Sequence, residues 1–291
     1  MTTVYGKLFL VATPLGNLED ITYRALRILS EVQLIAAEDT RHTLKLLNYF
    51  KIKKRLVSFH QHNEWEKAPG LITELHNGLD IALVSDAGMP GISDPGSYLV
   101  AQAIAAGITV IPIPGPSAVV TALAASGLDT SAFIFLGFLP RKKAEQIIKI
   151  EQVINFNGTL IFYESPHRLK ITLKNLISVL GDRQAVIARE LTKIHEEFIR
   201  GNLIALLERV STQNILGEFT ILISGLNETE KNLQNSTNSS LTAPASSILD
   251  YFVEMSNNGN SLKDELKNIA KKTGKSSKEI YRLYLEYRQN N

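Results

Sequence analysis

Short apolar runs alternate with segments of helical spacing through the first 127 residues. Runs such as Lys7–Thr13, Gln33–Glu38 and Asp80–Ser85 are rich in Ile, Leu, Val and Ala, as is typical of buried strands. Between them, segments such as Thr40–Phe50 carry a helical pattern, and Asp20 is a candidate cap for the first helix. Strands that alternate with helices at this spacing predict a largely parallel sheet covered on both faces.

The pattern changes near Asp129. Strands are predicted at Phe133–Phe138 and Thr159–Tyr163, with a helix between them. Further along the chain only one short helix separates three predicted strands, which are Ala185–Glu190, Glu196–Arg200 and Glu218–Ser224. That mixture predicts a second α/β domain with antiparallel pairing. The sequence thus predicts an α/β protein of two domains, 1–127 and 128–225.

The remainder of the chain differs in composition. Residues 226–242 are rich in Asn, Ser, Thr and Glu, and they predict a mobile linker because they could not bury enough apolar surface. Residues 243–291 carry helical periodicity and predict a small helical domain. Gly274, between two of its helices, resembles the turn glycine of a helix-turn-helix. Packing or dimer contacts are the alternative role for these helices.

Composition excludes several kinds of site. Without cysteine the chain has no disulfide, no thiolate zinc site and no cysteine nucleophile. No run approaches the roughly 18 apolar residues of a membrane-spanning helix, so we expect a cytoplasmic protein without a membrane partner. The net charge of +2 does not itself indicate nucleic-acid binding. However, seven basic residues lie between Lys263 and Arg282 against three acidic ones, which favours a polyanionic partner there.

Four loops at the predicted strand ends are rich in Gly, Pro and small polar residues. They are Thr13–Asn17, Glu38–His42, Ser85–Gly96 and Pro112–Ser117. Ligands of open α/β sheets bind beyond the carboxyl ends of the strands, so these loops predict a binding site. None of them matches a phosphate-binding signature of the P-loop or dinucleotide type, which argues against both enzyme classes.

Six motifs in these loops and in the second domain resemble those of the tetrapyrrole methylase superfamily. Within it they are most similar to the branch that methylates small-subunit ribosomal RNA. The resemblance runs from about Lys7 to Gly225. The motifs that carry it are Ala12–Leu18, Ala37–Arg41, Ser85–Gly96, Pro114–Ala118, Gly137–Arg141 and Phe162–Arg168.

This resemblance implies a cleft between the two domains that holds S-adenosylmethionine in a folded conformation. Superfamily members that act on tetrapyrroles carry glycine-richer first and third loops, whereas this chain has Pro14–Asn17 and Ser85–Gly88, which favours the ribosomal branch. Met89 departs from the Thr often expected in that branch. By position, the donor-binding residues would be Pro14, Asp86, Ala87, Gly88, Ser117, Ala118, Tyr163 and Leu191.

The resemblance further implies 2′-O-methylation of a cytidine ribose in 16S ribosomal RNA. The assembled small subunit would be the substrate and a homodimer the working form. Two alternatives stay open. One is a methylase of another acceptor, such as a tetrapyrrole or the modified histidine of an elongation factor. The other is a non-enzymatic regulator that binds nucleic acid through its C-terminal helices.

A ribose hydroxyl is a weak nucleophile and benefits from a nearby base. Glu164, Glu190 and Glu218 are the candidates because they lie at predicted strand ends, although exposed or salt-bridged carboxylates are the alternative. A sulfonium methyl is already activated, so no metal is expected. We interpret the pair His60 and His62, which could mimic a ligand set, as a solvated or RNA-facing loop.

Basic residues near the predicted cleft and in the C-terminal helices could bind phosphates. A solvated charged face is the alternative for each of them. Near the cleft they are Arg41, His42, Arg141, Lys142, Lys143, His167 and Arg168, and in the C-terminal helices they are Lys271, Lys272 and Lys275.

Overall fold

The computed structural model describes residues 5–212, 216–226, 262, 266–267, 269–270 and 276–290. It divides into two compact units, Met1–Gly225 and Leu226–Asn291. The first unit contains two five-stranded sheets. The described residues do not include most of the predicted linker, residues 243–261, the predicted turn residue Gly274, or Lys271, Lys272 and Lys275.

The first sheet is entirely parallel, as the alternating pattern predicts. Its order is β3-β2-β4-β1-β5, and Leu8 of β1 pairs with Ile81 on one side and Val110 on the other. All of its carboxyl ends therefore meet at one edge. The strands are β1 (Leu8–Val11), β2 (Leu34–Ala37), β3 (Arg55–Ser58), β4 (Ile81–Val84) and β5 (Val110–Ile113).

Helices cover both faces of this sheet. Leu83 packs into a core with α3 and α4, whereas Val84 packs into a second core with α1 on the opposite face. Thr22, and not Asp20, caps α1, because its hydroxyl accepts the Ala25 N–H at 3.1 Å while Asp20 lies in a short 3-10 turn. The helices are α1 (Tyr23–Glu31), α2 (Thr40–Tyr49), α3 (Glu64–His76), α4 (Ser97–Ala105) and α5 (Ala118–Ser126).

The second sheet has the order β6-β7-β10-β8-β9, parallel between β6 and β7 and antiparallel elsewhere. The predicted antiparallel pairing is confirmed. Its strands are β6 (Phe133–Phe138), β7 (Thr159–Glu164), β8 (Gln184–Arg189), β9 (Glu197–Asn202) and β10 (Phe219–Ile223). Its helices are α6 (Lys143–Glu151), α7 (Pro166–Leu180) and α8 (Leu203–Thr212).

Helix α5 joins the two sheets. It leaves the end of β5, and its buried Val119 and Ala122 pack on Ile161 and Val186 of the second sheet. The other face of that sheet packs on α6, α7 and α8 around Phe162. Successive residues of β7 therefore point to opposite cores, with Tyr163 on the side of α5.

The second unit contains α9 (Ser277–Asn290). Ile280 packs there with Leu266, Ile269 and Ala270 in a small apolar core. Across the described parts of both units, none of the helices combines the length and apolar character required to span a bilayer.

Candidate active site

A cavity of about 430 Å³ lies between the two sheets of the first unit, beyond the carboxyl ends of the first sheet. The first half of the unit lines it with Leu15, Glu38, Asp86, Ala87, Gly88, Met89, Ile92, Asp94, Ser117 and Ala118. The second half lines it with Phe138, Tyr163, Glu164, Ser165, Pro166, Ala188, Leu191, Glu218, Phe219 and Thr220. The structure therefore brings together the predicted donor-binding residues, except that Leu15 and not Pro14 contributes the wall from the first loop.

Backbone hydrogen bonds fasten the first loop to the third. Thr13 and Gly88 exchange two N–H···O bonds of 2.9 Å, and the Thr13 hydroxyl donates to the Ser85 carbonyl at 3.1 Å. Gly88 can make this approach because its φ is 81°, in the left-handed region that glycine tolerates. The two loops thus form one continuous floor for the cavity.

Three carboxylates, Glu38, Asp86 and Asp94, line one side of the cavity. Asp86 accepts the Asp39 N–H at 3.1 Å, and Glu38 accepts the Asp86 N–H at 3.4 Å. Burial raises the pKa of Asp94 to about 7, and repulsion from Glu38 and Asp86 adds to the rise. Burial also raises the pKa of Glu38. The three groups therefore do not all carry a full charge at neutral pH.

Neither Glu38 nor Asp94 was among the residues selected from the sequence. Both lie in loops that the sequence analysis selected at the ends of predicted strands, Glu38–His42 and Ser85–Gly96. The signal that could have found Glu38 is an acidic residue directly after a buried strand, since such residues meet at the carboxyl edge of a parallel sheet. Asp94 lies ten residues after the end of β4 and carries no such signal.

Tyr163 forms the opposite wall. Its ring packs edge-on against Phe135 and Phe138, with ring centroids 4.8 and 5.6 Å away. Burial and the nearby Asp94 raise the pKa of Tyr163 to about 12, so its hydroxyl stays protonated at neutral pH. The second sheet thus offers a neutral aromatic wall to the carboxylates of the first.

The three carboxylates proposed as bases from the sequence are all paired within the chain. Glu164 has a fully buried side chain, which accepts the Thr172 hydroxyl at 2.6 Å and pairs with Arg168 at 3.4 Å. Glu190 and Glu218 share the Lys193 ammonium at 2.9 and 3.0 Å. Glu164 and Glu218 line the cavity. Their contacts match the salt-bridged alternative that the sequence left open.

The loop that contains Lys193 also contacts the first loop. The Asn17 N–H donates to the Thr192 hydroxyl at 3.2 Å. A Cβ added at Gly16 would lie 2.3 Å from Cγ of Lys193, so only glycine leaves room for that side chain. Glu190 and Thr192 hold positive φ values of 49° and 66°, which are strained for residues with side chains. We call this junction of residues 16–17 with 192–193 the loop clasp.

The basic residues predicted near the cleft differ in their hydrogen-bond partners and in their exposure to solvent. Arg168 donates to the Leu139 and Pro140 carbonyls at 2.6 and 3.0 Å in addition to its pairing with Glu164. Arg41 pairs with Asp39 at 2.8 Å, yet 87% of its side chain is exposed. The remaining members, His42, Arg141, Lys142, Lys143 and His167, are also exposed.

The histidine pair at the end of β3 is held close together. The rings of His60 and His62 lie 5.9 Å apart. Within the described ranges, no group of three His, Asp or Glu side chains is placed to hold a metal ion.

The sequence of this chain matches a known protein family. The sequence profile described as Tetrapyrrole (Corrin/Porphyrin) Methylases matches residues 7–206, which is more than half of the chain. Those residues include every loop that lines the cavity from the first sheet.

Curated relatives share far more of the sequence. Ribosomal RNA small subunit methyltransferase I of Halalkalibacterium halodurans is 48% identical over 279 residues, which cover 96% of this chain and 94% of that protein. The protein of the same name from Bacillus subtilis is 42% identical with the same coverage. The one from Thermotoga maritima is 48% identical over 220 residues, or 76% of this chain and 99% of its own.

Solved structures agree in fold. Diphthine synthase superimposes on this chain with a TM-score of 0.61 at 17% sequence identity, and the match covers 76% of this chain and 91% of diphthine synthase. Uroporphyrin-III-C-methyltransferase from Thermus thermophilus superimposes with a TM-score of 0.52 at 20% sequence identity, and the match covers 75% of this chain and 94% of that enzyme. At these identities the likeness shows the fold alone. By its sequence and its fold, the chain belongs to the tetrapyrrole methylase family and, within it, to the ribosomal RNA small subunit methyltransferase I group.

Proposed function

We propose that this chain transfers a methyl group from S-adenosylmethionine to the 2′-hydroxyl of a cytidine in 16S ribosomal RNA. The observation that carries the proposal is the carboxylate-lined cavity between the two sheets, in a chain 48% identical over nearly its whole length to a named small-subunit methyltransferase. The assembled small subunit as substrate and a homodimer as working form belong to the same proposal.

The residues of the cavity suit such a donor in size and charge. About 430 Å³ lies within the usual range of small-molecule sites, roughly 300–1,000 Å³. Apolar walls from Leu15, Ala118 and Leu191 suit an adenosine, and the carboxylates of Asp86 and Asp94 attract its sulfonium and ammonium charges. The donor would supply an already activated methyl group, so the main task of these residues is to align it with the acceptor.

Ser117 supports the same assignment. It occupies the N-cap position of α5, yet its side chain makes no capping hydrogen bond and lines the cavity instead. A polar side chain at a helix start usually satisfies an N–H of the first turn. Its hydroxyl is therefore free to contact a ligand, and replacing it should cost the fold little.

Exposed basic residues lie within one to five positions after several cavity-lining residues in the sequence. Arg41 and His42 follow Glu38, Arg141–Lys143 follow Phe138, and His167 follows Pro166. We propose that they bind phosphates around the acceptor nucleotide, and that Lys271, Lys272 and Lys275 of the predicted C-terminal helices bind phosphates of the same RNA. The interior contacts of Arg168 give it a structural part as well.

Methyl transfer itself tests the proposal. The protein is incubated with donor labelled on the methyl group and with purified small subunits, free 16S RNA, a porphyrinoid or an elongation factor. Label should enter small-subunit RNA and map to a cytidine whose 3′ linkage resists alkaline cleavage, because a 2′-O-methyl group blocks that reaction. Label only in a porphyrinoid or an elongation factor would establish the other acceptors. Donor binding without transfer to any of the four would contradict the proposal.

We expect the double variant R141S/K143S to bind small-subunit RNA more weakly and with less dependence on salt. Each lost phosphate contact should lower the slope of log affinity against log salt concentration by about 0.7 to 0.9. Filter binding between low and moderate salt measures both effects. The matched control is K53S/K54S, because these lysines precede β3 at the opposite edge of the first sheet and carry the same charge. Equal slopes for the two variants would remove Arg141 and Lys143 from the RNA interface.

A further inference from the structure

Asp94 differs from the other carboxylates around the cavity in its partners. Glu164, Glu190 and Glu218 each pair with a cation, and Glu38 and Asp86 each accept a backbone N–H. Within the described part of the chain, Asp94 forms no salt bridge, and the group that favours its ionised form is the Ser85 side chain. Its carboxylate oxygens can therefore accept a hydrogen bond or a proton from a ligand in the cavity that Asp94 lines.

The backbone holds Asp94 in a fixed place. Ser93, immediately before it, has φ of 65°, which is unusual for a residue with a side chain. Pro95, immediately after it, restricts Asp94 to extended conformations. Across the cavity, Gly137 of β6 leaves room for the Ser93 hydroxyl, which would lie 2.7 Å from an added Cβ. Both sheets therefore determine the position of this segment, as a reacting group requires.

The charges that face Asp94 come from both halves of the unit. Glu38 and Asp86 face it from the ends of β2 and β4, with His60 next to Glu38. Tyr163 faces it from β7, and Glu164 and Glu218 line the same cavity. With a pKa of about 7, Asp94 can take up a proton and return it to water near neutral pH.

We propose that Asp94 is the general base of the reaction and accepts the proton of the ribose 2′-hydroxyl. The O–H bond breaks, and the oxygen forms a bond to the methyl carbon of the donor. The C–S bond of the sulfonium breaks, and its electron pair stays on the sulfur of a neutral thioether. The proton on Asp94 then passes to water. This role rests on the methyl transfer proposed above.

The change of charge in the cavity favours this direction of proton transfer. Before the reaction, a sulfonium cation in the same cavity stabilises the ionised form of Asp94. After the reaction that positive charge is gone, so Glu38 and Asp86 again favour the protonated form. Asp94 therefore has its lower proton affinity when it must be ionised and its higher affinity when it has received the proton.

Single-turnover methylation of small subunits, measured from pH 5 to pH 9, tests the role. The wild-type rate should rise as Asp94 ionises and then level off. D94N should lose at least about a hundredfold of the rate at saturating donor together with that rise. Calorimetry should show a far smaller loss of donor affinity, because Asp86 still lines the cavity. D94E, which keeps a carboxylate, should recover part of the rate. E38Q should shift the rise to lower pH, because it removes the main charge that repels Asp94.

Thermal unfolding supplies a readout independent of activity. The folded pKa of Asp94 is raised, so its ionisation destabilises the fold as the pH rises through about 7. D94N should therefore raise the melting temperature at pH 8 and leave it nearly unchanged at pH 4, where Asp94 is protonated in the folded chain. The control is D129N, because the exposed Asp129 carboxylate accepts hydrogen bonds from the N–H and the hydroxyl of Ser131. This variant should show no increase in melting temperature at pH 8.

The outcomes separate this inference from the function on which it rests. If D94N methylates RNA at the wild-type rate with the same pH profile, Asp94 is not the base, although the proposed function stands. If the wild-type protein labels no RNA, the proposed function itself fails. If D94N does not fold, the pH dependence of the E38Q methylation rate decides the question. A rise in rate at the same pH as in the wild type would overturn the role of Asp94.

Discussion

Replacing Ser117 with tyrosine is expected to weaken the binding of S-adenosylmethionine by about a hundredfold, or about 2.7 kcal/mol. Ser117 lines the cavity, and its backbone is extended with φ of −151°, so a larger side chain is compatible with the chain path. The tyrosine ring would occupy space that the donor needs. Calorimetric titration with the donor and with its demethylated product measures the loss.

The matched control for this variant lies on the same helix. Val120 of α5 is 51% exposed and does not line the cavity, so V120Y adds a ring without filling the site. It should bind the donor like the wild type. Unchanged affinity in S117Y as well would place the donor elsewhere and would remove the Pro112–Ser117 loop from the site.

Replacing Phe162 with alanine is expected to lower the free energy of unfolding by about 3 to 5 kcal/mol. Phe162 is fully buried in β7, which pairs with β6 on one side and β10 on the other. Its ring fills the core under α6, α7 and α8, on the face opposite Tyr163. Donor binding by the folded variant should therefore stay close to wild type. Urea unfolding measures the stability.

An exposed residue over the same sheet provides the comparison. Ile171 of α7 is 59% exposed, so I171A should change the free energy of unfolding by no more than about 0.5 kcal/mol. A loss below about 1 kcal/mol in F162A would mean that the surrounding side chains collapse into the gap. A loss of donor affinity without loss of stability would contradict the separation of the two faces of β7.

The alternation of apolar runs and helical segments was sufficient to predict the first sheet. Strands such as Ile81–Val84 are buried on both faces, so they stand out as continuous apolar runs without a competing period. The loops were equally visible, because the glycines and prolines of Ser85–Gly96 fix the backbone there.

Individual side chains were harder to predict because their roles depend on contacts distant in sequence. The cap of α1 is the exception, because Asp20 and Thr22 are both capping residue types and lie only two positions apart. The pKa of Asp94 is raised by burial and by Glu38, which lies on another loop 56 residues earlier in the chain. Glu164 could not be recognised as an internal partner of Thr172 and Arg168 until α7 was placed beside β7.

The loop clasp bears on how products leave. Lys193 keeps both of its carboxylate partners within the second half of the unit. Separation of the two loops therefore breaks the packing over Gly16, the apolar contacts of Leu15 with the cluster that includes Leu191, and one neutral hydrogen bond, from Asn17 to Thr192. Such a bond contributes only about 1 kcal/mol. No strand pairing of either sheet crosses this junction, so we expect the two loops to separate more readily than either sheet, as suits a site that must admit and release a ligand.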